Sequence, residues 1–251
     1  MTRLIRAELL KLTTTRSFWV YVLLALALVP VTIALTILAP HTGPPHTGVT
    51  LDSSEGVRRV IAAASCTTML VVIGILVMAG EFRHNTATAT FLITPDRKRI
   101  VLAKLAATTI VGIAIAGAAS ALTLGLALPW LSTKGVDVGA HTGDIAIVIL
   151  GALTATALSA IIGVGLAALL RKQTLSVITA LVWTLVVESL LVSVAPKIDR
   201  WLPAGASNAI THVATPKGSL LPMWAGALLL GAYALAFATT GTRQIAHRDI
   251  T

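Results

Sequence analysis

The chain has 251 residues, of which 56% are hydrophobic, 12% charged and 4% aromatic, with a formal net charge of +9 and a mean hydropathy of +0.89. Soluble domains carry about a quarter charged residues, so this composition excludes a water-dissolved globule and points to helices that pack in lipid. Most Lys and Arg stand in short runs at the ends of apolar stretches, the pattern of topology signals and of contact with anionic membrane lipid rather than nucleic acid. The single cysteine, Cys66, excludes an intrachain disulfide and a cysteine metal cluster.

In chain order, residues 1–17 read as an amphipathic helix. Leu4, Ile5, Leu9 and Leu12 fall on one side, and Arg6, Glu8 and Lys11 on the other, as in a helix lying on a membrane surface. The chain then turns inward at Arg16-Ser17-Phe18-Trp19. The apolar stretch that follows is too long for the ~7–15-residue core of a signal peptide and reads as a retained span. Six spans are expected at 18–39, 58–80, 100–128, 143–170, 174–195 and 220–241, each long enough for a helix to cross a ~30 Å hydrocarbon core. The expected fold class is an all-α integral membrane protein, a single transmembrane domain over residues 1–251.

The loops differ in kind. Residues 40–56 contain Gly43-Pro44-Pro45 and end in Asp52-Ser53-Ser54-Glu55, an acidic capping pattern for the next helix. The turn Arg171-Lys172-Gln173 is so short that spans four and five must form an antiparallel hairpin. Residues 196–219, with Pro196, Trp201, Pro203 and Pro216, read as a partly helical outer segment at the interface, anchored by Trp201.

Basic residues set the orientation. With the N-terminus inside, the cytoplasmic pieces hold Arg3, Arg6, Lys11, Arg16, Arg83, Arg97, Lys98, Arg99, Lys104, Arg171, Lys172, Arg243 and Arg248, 13 of the 19 cations. The outer side holds Arg58, Arg59, Lys134, Lys197, Arg200 and Lys217. The positive-inside rule therefore favours both termini in the cytoplasm.

Within the spans, Gly151, Ala155, Ser159, Gly163 and Ala167 form an i, i+4 stripe of small residues, and Gly117, Ala121 and Gly125 form another. Such faces let backbones approach closely in lipid, whether inside one bundle, between subunits or along a translocation path.

The longest cytoplasmic loop, 81–99, is the most informative segment. Span two ends at the acid–base pair Glu81 and Arg83. Phe91, Leu92 and Ile93 then give the loop an apolar side. Thr94-Pro95-Asp96 restarts a helix, with a cap residue, a first-turn proline and an acid at the positive dipole end. A short amphipathic piece held between two spans suits docking into a groove on a cytoplasmic partner.

Ala7-Glu8-Leu9-Leu10-Lys11-Leu12 with Thr15-Arg16-Ser17-Phe18-Trp19, then Glu81-x-Arg83, Asn85-Thr86, Pro95-x-Arg97 and Lys104, together resemble the permease subunit of ABC-2 type transporters. The likeness covers the whole six-span layout, with specific residues in about the first 105. Asn85 stands where that family commonly has glycine, and Asn also tolerates unusual backbone angles.

The resemblance implies a bacterial inner-membrane exporter subunit that pairs with a second permease copy, identical or related, and docks onto a dimer of cytoplasmic ATPase subunits. By that analogy 81–99 is the coupling loop: Glu81, Arg83, Asn85 and Thr86 shape the turn, Phe91 and Leu92 touch the ATPase, and Arg97 and Lys104 anchor the return. Residues 1–17, with Glu8, Lys11 and Arg16, become the connecting helix. ATP and Mg would be bound by the partner, since the chain has no G-x-x-x-x-G-K-[ST] phosphate loop; no cofactor or enzymatic activity is expected here. The implied cargo is a drug, antibiotic peptide, lipid or polysaccharide, and the apolar composition leans toward hydrophobic or amphipathic substrates.

One acid lies deep in a span: Glu188, toward the outer end of span five. Intramembrane acids are costly and default to a functional reading. Glu188 is a candidate for the substrate pathway or gate, or for pairing with Lys197 or Arg200. Two other readings remain open: a gradient-driven carrier or channel, which would need buried polar groups or broken helices at mid-membrane, and a membrane scaffold or sensor subunit that needs no coupling loop.

Overall fold

The structure, a computed structural model, describes residues 1–38, 51–83, 97–214 and 220–247. All regular elements among the described residues are helical. Six stretches are long and apolar enough to cross a membrane: Arg16–Leu38, Ser54–Gly80, Arg99–Thr133, Val138–Leu170, Gln173–Val194 and Met223–Gln244.

Helix α1 (Thr2–Thr14) ends at Thr15, whose backbone is extended (φ −87°, ψ 120°), and α2 (Arg16–Leu38) follows at once. The chain breaks at a run of threonines. Thr14 Oγ1 donates to Leu10 O (2.8 Å) and Thr15 Oγ1 to Lys11 O (2.7 Å), the local side-chain bonding by which hydroxyl residues compete with helix continuation. The second span opens as α3 (Ser54–Ile61), capped by Ser53 Oγ, which accepts from Gly56 N at 3.1 Å. A 3-10 turn over Ala62–Ala64 follows, and Ser65 is extended. The span resumes as α4 (Thr67–Arg83). What reads as one continuous apolar stretch is thus broken near its middle, where Ser65-Cys66-Thr67-Thr68 interrupts the aliphatic run.

Helix α5 (Arg97–Thr133) would be about 55 Å long at 1.5 Å per residue, so its ends reach beyond the hydrocarbon core. Asp137 caps a 3-10 turn (Val138–His141) by accepting from Gly139 N and Ala140 N, and α6 (Thr142–Leu170) returns across the bundle. Span five is α7 (Gln173–Val182), a π turn at Trp183–Val187 and α8 (Glu188–Val194). A 3-10 turn (Pro196–Trp201) leads to α9 (Pro203–Ile210), and α10 (Met223–His247) completes the described chain.

α6 is the hub, packed most extensively against α4 and α10 and also against α5. Its small residues permit this. A Cβ on Gly163 would stand 2.1 Å from Val71 O of α4, and one on Gly74 of α4 would stand 2.3 Å from Ala160 O of α6, so the two backbones touch where each lacks a side chain. On the other side Gly165 meets Phe237 of α10, its missing Cβ 2.5 Å from the Phe237 carbonyl. The stripe Gly151, Ala155, Ser159, Gly163 and Ala167 is buried throughout, inside the bundle. The stripe on α5 does the opposite: Gly117, Ala121 and Gly125 are exposed, and a Cβ on either glycine would meet nothing within 4 Å.

The segment between spans five and six contributes to the core. α9 packs between α10 and α6 with Gly205, Ala206, Ser207, Ala209 and Ile210 buried, while Trp201 beside it is exposed and Tyr233 of α10 donates to the Trp201 carbonyl at 3.0 Å. α2 and α7 lie at the periphery, their outward faces rich in exposed Leu, Ile and Val.

Replacing Gly163 by valine should lower stability by about 1–3 kcal/mol, the usual cost of overpacking. Gly117→Ala should leave it unchanged or raise it by up to about 1 kcal/mol through helix propensity. Thermal unfolding of the detergent-solubilised chain checks both, and equal losses would show that the α4–α6 contact is not close.

Candidate functional site

At the end of the bundle where α1 meets the spans, a hydrogen bond and an ion pair help to hold α1 in place. Trp19 Nε1 in the first turn of α2 donates to Thr13 O at the end of α1 (2.8 Å), across the bend at Thr15. In the ion pair, Lys104 Nζ, two turns into α5, reaches Glu8 Oε2 at 2.6 Å. Lys104 is 1% exposed and Glu8 12%, so each charge is removed from water and held by the other. Breaking such a pair from one side is costly because it strands the remaining charge. α1, which has no buried residue of its own, is thereby locked to the start of span three.

The opposite end carries its own charge cluster. Arg58 of α3 donates from Nε (2.9 Å) and Nη2 to Asp144 Oδ1 at the start of α6, and His141 Nδ1 lies 3.4 Å from Asp144 Oδ2. One turn from Arg58, Glu55 accepts from Arg59 (3.3 Å) and from the Ala214 backbone N–H beyond α9 (2.9 Å). These bonds tie the beginning of span two to the beginning of span four and to the segment that follows α9.

Two irregularities lie between the charged ends. At the break in span two, Cys66 O accepts from Leu70 N at 3.0 Å to start α4, and the Cys66 thiol points at Ala25 O of α2 (3.9 Å). The break borders a cavity of about 190 Å³ lined by Ala25, Thr32, Ser65, Thr68 and neighbouring apolar residues. Non-helical backbone at membrane depth persists only when buried in protein or facing a cavity.

In span five the π turn brings residues five apart together: the Glu188 backbone N–H donates to Trp183 O, and Trp183 Nε1 donates to Glu188 Oε1 at 2.9 Å. In a regular α-helix these side chains would point in divergent directions; the widened turn stacks them. Glu188 is 4% exposed and its Oε2 has no hydrogen-bond partner. Asp199 and the Ala204 backbone N–H, at the start of α9, lie within electrostatic reach. The Trp183 indole thus gives the carboxylate a hydrogen bond from within its own span.

Compared with known families, residues 4–187 match the model of the ABC-2 family transporter protein. The chain belongs to the ABC-2 transporter family. No curated protein matches the sequence. The match runs from α1 to the last residue of the π turn, so Glu188 is the first residue beyond it. With its six apolar helical stretches, the protein is a multi-pass membrane protein and a membrane component of an ABC-2 transporter.

Among the residues singled out in sequence, Glu8 and Lys104 are brought together, whereas Lys11 and Arg16 are exposed on either side of the Thr15 break. Glu81 and Arg83 fall in the last turn of α4, and Arg97 is the first residue of α5. Asn85, Thr86, Phe91 and Leu92 lie outside the described residues. Sequence reasoning missed the Glu8–Lys104 and Arg58–Asp144 pairs, although opposite charges at the same expected membrane level were a usable signal for both. The hydroxyl-rich run 65–68 signalled the break; the π turn has no such mark.

Lys104→Met should destabilise the protein by about 3–5 kcal/mol, as loss of one partner of a buried pair does. Adding Glu8→Gln should recover much of that loss. Thermal unfolding of the single and double variants checks the coupling, and additive losses would remove the ion pair from the account.

Proposed function

We propose that this chain is the permease subunit of an ATP-driven ABC-2 exporter in a bacterial inner membrane, with both termini in the cytoplasm. A cytoplasmic ATPase dimer binds ATP and Mg and grips the loop 81–99 through Phe91 and Leu92, with Glu81, Arg83, Asn85, Thr86 and Arg97 shaping its ends. Two permease copies, identical or related, enclose the pathway. The cargo is a hydrophobic or amphipathic molecule of the drug, antibiotic-peptide or lipid class.

The observation that carries this reading is the buried Glu8–Lys104 pair. A pull on the coupling loop acts on the start of α5. Because Lys104 is bonded to Glu8, the same displacement is delivered to α1 and, across the Thr15 break, to α2. A packed element with two discrete arrangements is what transmits coupling between distant sites, and here one ion pair joins the loop's far end to the surface helix. Glu188, buried beside the π turn, is the candidate gate in span five: π turns recur at functional positions, and an intramembrane acid with an unbonded oxygen is poised for a second partner.

A gradient-driven carrier is the competing reading, favoured by the break in span two and the π turn in span five, the discontinuities such carriers use. ATP dependence separates the two. Co-expressed with its ATPase and reconstituted in lipid, the chain should stimulate ATP hydrolysis. Glu81→Ala and Phe91→Ala should each lower transport by an order of magnitude or more while inserting normally, the scale of a coupling free energy of about 1–3 kcal/mol. Unaltered transport in both variants, or transport that proceeds without ATP, overturns the exporter reading. Glu188→Gln should change substrate efflux without changing ATPase association, and loss of association would reassign it to assembly.

A further inference from the structure

A groove of about 930 Å³ opens between α2, α4 and α7, beside the hairpin turn that joins spans four and five. Its walls are apolar: Tyr21 from α2, Val72 and Leu76 from α4, Leu175 and Ile178 from α7. Its rim is basic, formed by Arg171 and Lys172 together with the polar Gln173 and Thr174. None of the described lining residues is acidic.

The two cations are presented differently. Arg171 ends α6 in the left-handed region (φ 56°, ψ 0°), a conformation unfavourable for any residue with a Cβ and usually taken by glycine. Its guanidinium donates from Nη2 to Gln244 O in α10 at 2.7 Å, which fixes where the side chain lies. Lys172 is exposed, and no described acid pairs with it. A non-glycine residue held in a strained cap, with a second cation beside it at the mouth of an apolar groove, points to a ligand that is anionic at one end and apolar along its length.

We propose that this groove is a binding site for an anionic phospholipid of the inner leaflet. The phosphate sits at Arg171 and Lys172, and an acyl chain runs along Val72, Leu76 and Ile178. Basic pockets between spans on the cytoplasmic side recognise acidic headgroups in this way. The assignment rests on the orientation proposed above. A second copy of the chain is a poorer occupant, because a molecule with the same charge of +9 would bring mainly cations to a cationic rim and leave Lys172 without a counter-charge.

The test uses the full-length chain in nanodiscs containing equal phosphatidylglycerol and phosphatidylcholine, with retained lipid read by native mass spectrometry. The wild type should retain phosphatidylglycerol preferentially, by about fivefold for each cation engaged, the strength of a basic side chain at an anionic surface. Lys172→Ala should reduce that preference while lipid is still retained, and Leu76→Trp, which fills the groove, should lower retention of both lipids. Retention at the bulk ratio by the wild type, or an unchanged preference in Lys172→Ala, overturns the site and leaves annular lipid only. Disulfide cross-linking of an Ile178→Cys variant to a second copy, in full yield in membranes, shows the groove covered by protein and also overturns it. Labelling of Lys172→Cys with an impermeant thiol reagent tests the orientation separately. Access from the cytoplasmic side supports the inner-leaflet assignment, and access from outside overturns it through the topology even where the headgroup preference persists.

Discussion

In lipid a helix gains nothing by hiding leucine from its surroundings, since the acyl chains are as apolar as the side chain. Helices hold one another through close packing, best where small residues let backbones approach, and through polar contacts between them. α6 supplies those approaches. Its glycines and alanines admit the α4 backbone on one side and α10 on the other, and every other span takes its place relative to this three-helix centre. Away from this centre, α2, α5 and α7 also carry large aliphatic side chains on their exposed faces.

Charge marks the two ends of this bundle and does different work at each. At the end away from α1, Arg58, Asp144, Glu55 and the Ala214 amide staple three segments together. At the end where α1 lies, the pair of Glu8 with Lys104 binds that helix to a span. The helix has no fully buried residue; Leu9 and Leu12 pack against the core from one side, and the ion pair adds a contact in a water-poor site.

The irregular turns lie between these ends. A continuous span satisfies its own backbone and resists bending; a broken one must be supported by neighbours, and in return it can change shape. Span two is supported at Ser65–Cys66 by α2 through the Cys66 thiol and a small shared cavity. In span five the Trp183–Glu188 bond closes the π turn from within the span itself. Both spans also contribute walls to the groove beneath Arg171 and Lys172, through Val72 and Leu76 of α4 and Leu175 and Ile178 of α7.

The number of spans, their approximate extent and the presence of a separate amphipathic start were legible from hydropathy, because crossing a hydrocarbon core needs about 20 apolar residues whatever the tertiary fold. The cap at Ser53 and the hairpin at Arg171–Lys172 were legible too, since both depend on adjacent residues alone. The two stripes of small residues look alike in sequence, yet one lies inside the bundle and the other faces outward, because a stripe states that a close approach is possible and not which neighbour takes it. Glu8 and Lys104 are 96 residues apart and Arg58 and Asp144 are 86 apart; only the packing of α1 on α5 and of α3 on α6 brings them together. The same holds for Glu188, whose depth in the span is plain from sequence. Its partner is decided by one extra residue in a turn, which brings Trp183 and Glu188 together and has no mark in the local residue types.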